Sequence, residues 1–491
     1  MADADPSVEA HRLVAGFLRS HGYTKTLDAL LNESISTNPR LPVLIEHSGA
    51  ADDSGVGLED VVEYLLAARL ARAKLDDPAA PLRDDLNQLH LVDNALPKKV
   101  RTAVSEASNV LTVKKGVLPK RSWDSAELRF RSEHIPCILS TAVDRTLKLH
   151  SLDSFDLLDS FPLPSPALSF VQHPVPGQER FVACATMEGS LSVIDLVTRE
   201  VKAKVKDHSK YIVRVVWSPD GRYLATLGYD KLIHIYRFSL SASTSTSSDA
   251  PALLDDELPD PLAATPSVSL TLAHTVHTRT NPEAAVFLPD SRTLVWTARE
   301  DHLLHYQTVP AEGNETGEGG WAAESYNLNE NGDAHISFSI LHITLHPTLP
   351  LLSLQTNTTN ARLLLYPFHS PTRLLTLHTT ASYSDYANPR HAWLPSGAGA
   401  VVNSEDGILR VVDLRGKVRL AKGAHGPAAP LELAPGEEAD EELRSERARA
   451  RREADKGSSV IRDVEVVATG PAQDGVALLS CGFDKTIKVV E

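Results

Sequence analysis

Residues 207–238 contain three short β runs separated by two turns. The run 212–217 is rich in β-branched residues, and residues 218–221 (Ser-Pro-Asp-Gly) are typical of a tight turn, because Pro fixes φ and Gly accepts positive φ. A second turn at residues 228–231 separates the two later runs. A three-stranded meander cannot bury both of its faces alone, so the chain must contain further copies that stack on it.

Such copies recur along the chain as a polar turn residue followed by apolar residues at alternate positions. Successive copies lie 44, 42, 71, 59, 46 and 78 residues apart, and the short spacings match the roughly 40–45 residues of a four-stranded propeller blade. Asp and Asn suit such turns because their side chains accept hydrogen bonds from nearby backbone amides. The predicted blade-turn residues are Asp144, Glu188, Asp230, Asp301, Asn360, Asp406 and Asp484.

With these features the chain resembles the WD-repeat family over about residues 110–491. The most specific matches are the Ser-Pro-Asp-Gly turn, the pair Asp207-His208 and the closing run Gly-Phe-Asp-Lys-Thr-Ile-Lys-Val-Val. The family's Trp after the third strand of each blade is absent, and its His before the first strand is clear only at His208. The resemblance implies an all-β fold, a seven-bladed β-propeller over residues 109–491.

The last predicted blade, residues 459–491, contains three strands, which would leave an unpaired edge. We predict that the strand at 110–115 closes the ring there, and that the first blade begins near residue 126. Three inserts, at 239–269, 311–321 and 424–459, have compositions too polar to fold alone. We expect solvated excursions, and a regulatory or docking role is the alternative.

Residues 5–33 carry two short apolar stripes at helical spacing, ended between them by Gly22, which suits a left-handed helix cap. This segment resembles the LisH (Lis-homology) motif, which implies an N-terminal α-helical dimerisation module and a homodimer through a four-helix bundle. The alternative is a helical pair packed on its own propeller. The predicted dimerisation residues are Leu13, Val14, Phe17, Leu18, Tyr23, Leu27, Leu30 and Leu31.

Residues 34–108 form a polar linker followed by a helical spacer, in which Leu82, Leu86 and Leu89 indicate one helix. Basic residues between 98 and 121 are interpreted as a solvated linker, with a nuclear targeting signal as the alternative.

The net charge of −15 argues against a nucleic-acid-binding face, since phosphates require a basic surface. No apolar run approaches the roughly 18 residues of a membrane span, and no signal peptide follows Met1. Three Cys in 491 residues do not make a disulfide framework. We therefore predict a cytoplasmic or nuclear protein.

No catalytic, phosphate-binding or metal-binding motif is present, so we predict no enzyme activity, no cofactor and no metal. The predicted function is that of a scaffold binding partner proteins. The family resemblance offers three settings: a ubiquitin-ligase substrate receptor, a transcriptional corepressor, or a dynein and microtubule regulator of the lissencephaly type. A propeller hydrolase or lyase is the alternative from another class.

In a WD-type propeller two sets of loops open on the same narrow face, and the residue before each turn acid lies near its mouth. Aromatic, Met and Arg side chains there are typical interface anchors. The alternative is that these rings only cover the neighbouring blade. The predicted partner-binding residues are Met187, Tyr211, Arg214, Tyr229, Arg299 and Phe483.

Overall fold

Apolar residues at alternate positions produce short antiparallel strands throughout the C-terminal part of the chain. In the computed structural model these strands form seven sheets of four strands each within the described residues. The innermost strands contact one another in a closed circle, so the predicted seven-bladed propeller is confirmed. The structure describes residues 79–92, 96–124, 129–241, 266–310, 320–329, 332–336, 338–357, 362–384, 388–426, 459–469 and 475–491, and isolated positions between 15 and 29.

Each blade is a meander whose first strand is innermost. Blade 1 contains β2 (Val110–Asp124), β3 (Arg129–Ala142), β4 (Thr146–Ser151) and β5 (Leu157–Pro162). Blade 2 contains β6 (Ala167–Gln172), β7 (Phe181–Thr186), β8 (Leu191–Asp195) and β9 (Glu200–Val205). Blade 3 contains β10 (Ile212–Trp217), β11 (Tyr223–Gly228), β12 (Leu232–Ser241) and β13 (Ser267–His277).

The remaining blades repeat this order. Blade 4 contains β14 (Pro282–Phe287), β15 (Thr293–Ala298), β16 (Leu303–Thr308) and β17 (Ala322–Asn327). Blade 5 contains β18 (Ile340–Leu345), β19 (Leu351–Thr356), β20 (Arg362–Pro367) and β21 (Leu375–His378). Blade 6 contains β22 (His391–Trp393), β23 (Gly399–Val402), β24 (Ile408–Asp413) and β25 (Val418–Gly423). Blade 7 contains β26 (Ile461–Thr469), β27 (Gly475–Gly482), β28 (Thr486–Val490) and β1 (Val100–Ser105).

The hydrophobic core lies between successive blades. Each interface contains one cluster of buried apolar side chains. Second strands such as β7, β11, β15 and β19 are buried along their whole length, whereas the outer strands β9 and β17 are largely exposed. A fully buried side chain such as Phe181, between blades 2 and 3, stabilises the fold by about 1.5–3 kcal/mol.

The strand that closes the ring is β1, and the prediction for residues 110–115 is wrong. β1 pairs with β28 in register Val100↔Val490, and the amides of Lys98 and Lys99 both donate to the carbonyl of Glu491 at 2.7 Å. Residues 110–115 instead begin β2, the innermost strand of blade 1. Their apolar side chains are fully buried there, whereas the outer position filled by β1 needs only half-buried residues. The propeller thus begins at residue 100 instead of 109, and blade 1 at 110 instead of 126.

The predicted inserts are shorter than the sequence indicated. Residues 239–241 and 267–269 belong to β12 and β13, with Ser239 opposite Ser269. Trp321 stacks on His274 at 4.2 Å between ring centroids, so it belongs to the propeller. Residues 424–426 contact blade 7. Residues 242–265, 311–319 and 427–458 lie outside the described residues.

Helix α1 (Ala80–Gln88) confirms the helix predicted around Leu86. Leu86 is buried in the core cluster between blades 5 and 6, and Leu82 and Leu89 pack against the same cluster. The spacer therefore supplies an apolar stripe to the propeller.

The predicted LisH segment falls mostly outside the described residues. Near its middle, Gly22 has a φ of 74°. The amide of Tyr23 donates to Leu18 O at 2.9 Å and that of Gly22 to Arg19 O at 3.3 Å, which is a Schellman helix end. Tyr23 is exposed. The other predicted dimerisation residues, Leu13, Val14, Phe17, Leu27, Leu30 and Leu31, lie outside the described residues.

Cys137, Cys184 and Cys481 are free and buried, as expected without a disulfide framework. Among the described residues, no helix is long and apolar enough to cross a membrane.

Candidate functional site

One backbone hydrogen bond, repeated in all seven blades, organises one face of the propeller. In each blade the amide of a residue after the second strand donates to the carbonyl of the residue just before the first strand, at 2.8–3.1 Å. We call these fourteen residues the mouth ring. The donors are Val143, Met187, Tyr229, Arg299, Asn357, Asn403 and Phe483, and the respective acceptors are Asn109, Pro166, Tyr211, Asn281, Ser339, Arg390 and Val460.

Five of the six predicted partner-binding residues belong to the mouth ring. Met187 is 48% exposed, whereas Tyr211, Tyr229, Arg299 and Phe483 are half-buried. Met187 and Phe483 belong to blades 2 and 7, apart from the other three, which the structure brings together at blades 3 and 4.

Tyr211, Tyr229 and Arg299 form a cluster around Glu283, which the sequence analysis did not identify. The rings of Tyr211 and Tyr229 lie 4.4 Å apart between centroids. Arg299 Nε donates to Tyr229 Oη at 3.2 Å, and both Arg299 and the Tyr229 hydroxyl donate to Glu283 Oε1. Glu283 is only 5% exposed. Its buried carboxylate therefore fixes the positions of Tyr229 and Arg299, which are more exposed. The sequence could have indicated Glu283, because it is the one charged residue of β14 and lies at the start of that strand.

The electrostatics of this cluster keep its donors protonated. Burial raises the pKa of Tyr229, and the neighbouring Glu283 carboxylate raises it further. Burial also raises the pKa of Tyr211, again helped by Glu283. For Arg299, burial opposes the charge, but the Glu283 carboxylate outweighs it and the pKa is raised. The mouth ring therefore presents two phenol rings beside a fixed cation.

The turn acids stabilise the loops between second and third strands. His208 lies between Asp230 and Thr226, with Nδ1 3.0 Å from Asp230 Oδ1 and Nε2 2.8 Å from Thr226 Oγ1. In blade 7 His425 makes the same arrangement, with Nδ1 2.9 Å from Asp484 Oδ1 and Nε2 2.8 Å from a Ser480 hydroxyl. The prediction that such a His is clear only at His208 is therefore wrong.

His425 was missed because residues 427–458 separate it from β26, the strand that it precedes. The signal was Ala424-His425-Gly426 at the point where the predicted insert begins.

The other described turn acids accept local hydrogen bonds. Asp144 accepts from Thr146 Oγ1 at 2.6 Å and Glu188 accepts from Ser190 Oγ at 3.0 Å. Asp301 accepts from Leu303 N at 3.1 Å, and Asp406 accepts from Ile408 N at 3.0 Å. Asn360 lies outside the described residues.

Arg214, the sixth predicted partner-binding residue, lies inside the mouth on β10. The residue is half-buried. Its Nη2 atom is buried, with no hydrogen-bond partner among the described residues. Over the same residues, no group of three or more His, Cys, Asp or Glu side chains converges as metal ligands.

Comparison with known proteins gives matches to parts of the chain. The family model described as WD domain, G-beta repeat matches residues 199–237, which include His208, Thr226 and Asp230. Echinoderm microtubule-associated protein-like 2 of Homo sapiens is 31% identical over 114 residues. This match covers 23% of the present chain and 16% of the relative.

Proposed function

Since this chain is a seven-bladed propeller that carries a WD repeat, we propose that it is a non-enzymatic scaffold that binds partner proteins on the mouth ring. The observation that carries the proposal is the cluster of Tyr211, Tyr229 and Arg299 on that face. Tyr and Arg are enriched among the few residues that dominate the energy of protein interfaces.

The cluster is held in position before any partner arrives. Because Glu283 and the ring contact fix both Tyr229 and Arg299, little side-chain entropy remains to be lost on binding. The fold does not require an aromatic pair at this place, since other blades carry Val143 or Asn357 at the position of Tyr229. Met187 and Phe483 extend the same surface around the ring.

The test is affinity purification of partners with the double variant Tyr211→Ala/Tyr229→Ala. We expect partner recovery, quantified by mass spectrometry, to fall about thirtyfold or more, the effect of losing a single interface anchor worth about 2 kcal/mol. The matched control is Leu157→Ala/Val201→Ala, which removes two side chains that are 56% and 53% exposed on outer strands.

The melting temperature of both double variants should stay within a few degrees of the wild type, as for other surface substitutions. Equal recovery of every partner by the wild type and a folded Tyr211→Ala/Tyr229→Ala protein would contradict the proposal.

The finer proposal concerns assembly. We propose that residues 5–33 dimerise the protein as a LisH motif and that the dimer is a subunit of a larger complex, of the ubiquitin-ligase or corepressor type. Two propellers would then present two copies of the mouth ring, which raises apparent affinity through effective concentration.

A second candidate is a microtubule or dynein regulator. The match to a relative whose name describes it as microtubule-associated favours this candidate. Partner identification separates the two, because tubulin or dynein subunits would be recovered in one case and ligase or corepressor subunits in the other.

A further inference from the structure

We propose that the inside of the mouth is a binding site for a phosphate-type oxyanion, formed by Lys114, Arg214, Arg390 and Arg462. These four cations come from four different blades and converge because each lies at or near the start of an innermost strand. Arg214 is the third residue of β10, and Arg462 is the second residue of β26. Arg390 directly precedes β22, and Lys114 is the fifth residue of β2.

A repeated backbone irregularity places two of these side chains, those of Arg214 and Arg462. Six of the seven innermost strands, all except β22, have a register shift directly after their first residue. Such a bulge turns the following side chains by one position relative to a regular strand. Glu283 and Arg462 are the bulged residues of β14 and β26, and Arg214 and Asp463 directly follow the bulge.

Among the described residues, Arg214, Arg390 and Arg462 have no carboxylate as a hydrogen-bond partner. Lys114 Nζ donates to Glu465 Oε2 at 2.8 Å, and Asp463 accepts from Thr112 Oγ1 and from the amide of Val113. These contacts use the carboxylates on β26 and leave the arginines to other partners.

Within the described part of the chain, the hydrogen bonds of these three arginines go to neutral groups. Arg390 Nη1 donates to the carbonyls of Pro389 and Leu341 at 2.9 and 3.3 Å. The two terminal nitrogens of Arg462 lie 2.8 and 3.0 Å from the position that the Asn388 amide oxygen takes when the amide is oriented to accept from them. Arg214 Nη2 is buried without a partner among the described residues. A buried donor without a partner costs about 1–3 kcal/mol, and more when it is charged, so the site favours a ligand that accepts hydrogen bonds.

The net charge of the site favours a ligand with two negative charges. Within the described residues, five cations lie here, the four named above and Arg299, against the three carboxylates of Glu283, Asp463 and Glu465. Two positive charges therefore remain uncompensated, and a phosphate group carries about two negative charges near neutral pH. Planar guanidinium groups also match the paired oxygens of phosphate.

The pKa shifts of the three arginines follow mainly from burial. Burial lowers the pKa of Arg214, Arg390 and Arg462, neighbouring arginines lower those of Arg214 and Arg390 further, and the Asp463 carboxylate opposes the shift in all three. Burial also lowers the pKa of His391, to about 3, so this neighbouring imidazole is neutral at physiological pH and adds no charge.

The first experiment measures the melting temperature of the full chain in inorganic pyrophosphate and in sodium chloride of equal ionic strength. We expect pyrophosphate to raise the melting temperature of the wild type above the chloride value. In Arg214→Gln and Arg462→Gln, pyrophosphate should bind about tenfold to a hundredfold more weakly, the loss expected for a charge-assisted hydrogen bond. Arg214→Gln should melt in chloride at or above the wild-type temperature, because it removes a buried donor, Nη2, that has no hydrogen-bond partner among the described residues.

The matched control is Arg222→Gln, the same change at an exposed turn at the other end of the blade 3 sheet. It should keep the full response to pyrophosphate. The proposal is overturned if the wild type gains no more from pyrophosphate than from chloride, or if both Arg214→Gln and Arg462→Gln respond like the wild type.

The second experiment identifies the source of the anion. A degenerate phosphoserine peptide library and its unphosphorylated counterpart are passed over immobilised wild type and Arg214→Gln protein. Retention of the phosphorylated pool by the wild type alone, reversed by pyrophosphate, assigns the site to a modified side chain of a partner. A pyrophosphate response without peptide retention assigns it to a free anion. Equal retention by Arg214→Gln counts against the site.

Assignment to a partner's side chain rests on the proposed function, whereas the pyrophosphate response does not. Undiminished partner recovery by a folded Tyr211→Ala/Tyr229→Ala protein, together with an intact pyrophosphate response, would therefore remove only the scaffold proposal.

Discussion

At the residue scale, Gly228 lies where the imidazole of His208 leaves no room for a side chain. A Cβ at residue 228 would meet His208 Nδ1 at 2.2 Å and Asp230 Oδ1 at 2.4 Å. We expect Gly228→Ala to lower the free energy of unfolding by about 1–3 kcal/mol, the usual cost of overpacking, and urea denaturation would measure it. The control is Gly423→Ala in β25, where a Cβ meets nothing within 4 Å. Equal stability of the two variants would contradict the prediction.

The same scale shows which site residues a sequence can reveal. Asp144 and Asp484 bond within their own turns, to backbone and side chains two residues away, and such local patterns repeat visibly along the chain. Glu283 and Arg462 each take a partner from another blade, Tyr229 and Asn388 respectively, and no pattern within a single strand identifies such a partner. The position of Tyr229 could be predicted from its turn, but its contact with Glu283 could not.

At the element scale, the closing strand β1 should decide whether blade 7 is stable. Deleting residues 1–78 leaves α1 and β1 in place, and we expect this protein to remain folded and monodisperse. Deleting residues 1–106 removes β1 and exposes the edge of β28, which should lower the melting temperature and promote aggregation. Thermal melting and light scattering measure both effects.

A third truncation, of residues 1–95, separates the two elements, because it removes α1 and keeps β1. If β1 is required, the protein that lacks residues 1–95 should be as soluble as the protein that lacks residues 1–78. Equal solubility of the 1–95 and 1–106 truncations would show that β1 is dispensable.

The sequence predicts most strands but not always their place in a blade. The periodicity of Val110 and Val113 identifies a strand correctly, yet inner and outer positions differ only in how much apolar surface they bury. Pairing of β1 with β28 joins segments almost 400 residues apart in the chain, for which no local pattern exists. Insert boundaries were set too wide for a related reason, since Ser239 and Ser269 are polar but pair as strand residues.

At the scale of the whole molecule, the number of blades follows from the repeat, because each meander must bury its faces against two neighbours. The seven core clusters between blades realise this requirement. Function depends instead on how the copies differ. Blades 3 and 4 supply the aromatic pair and Arg299, and the inner strands of four blades supply the cations inside the mouth.

We expect residues 5–33 to determine how many propellers one assembly contains. Helices of this length are marginal alone, because helix nucleation is costly, so their apolar stripes need a partner. We expect Phe17→Asp, which places a charge in the predicted stripe, to convert a dimer into a monomer in light scattering. Val92→Asp is the control, since Val92 is 62% exposed and lies outside this segment.

Monomeric Phe17→Asp should also recover partners about a hundredfold less efficiently, because the second mouth ring no longer adds effective concentration. A wild-type protein that is monomeric at micromolar concentration would contradict both expectations, whereas a monomeric variant with undiminished recovery would show that one propeller suffices for binding.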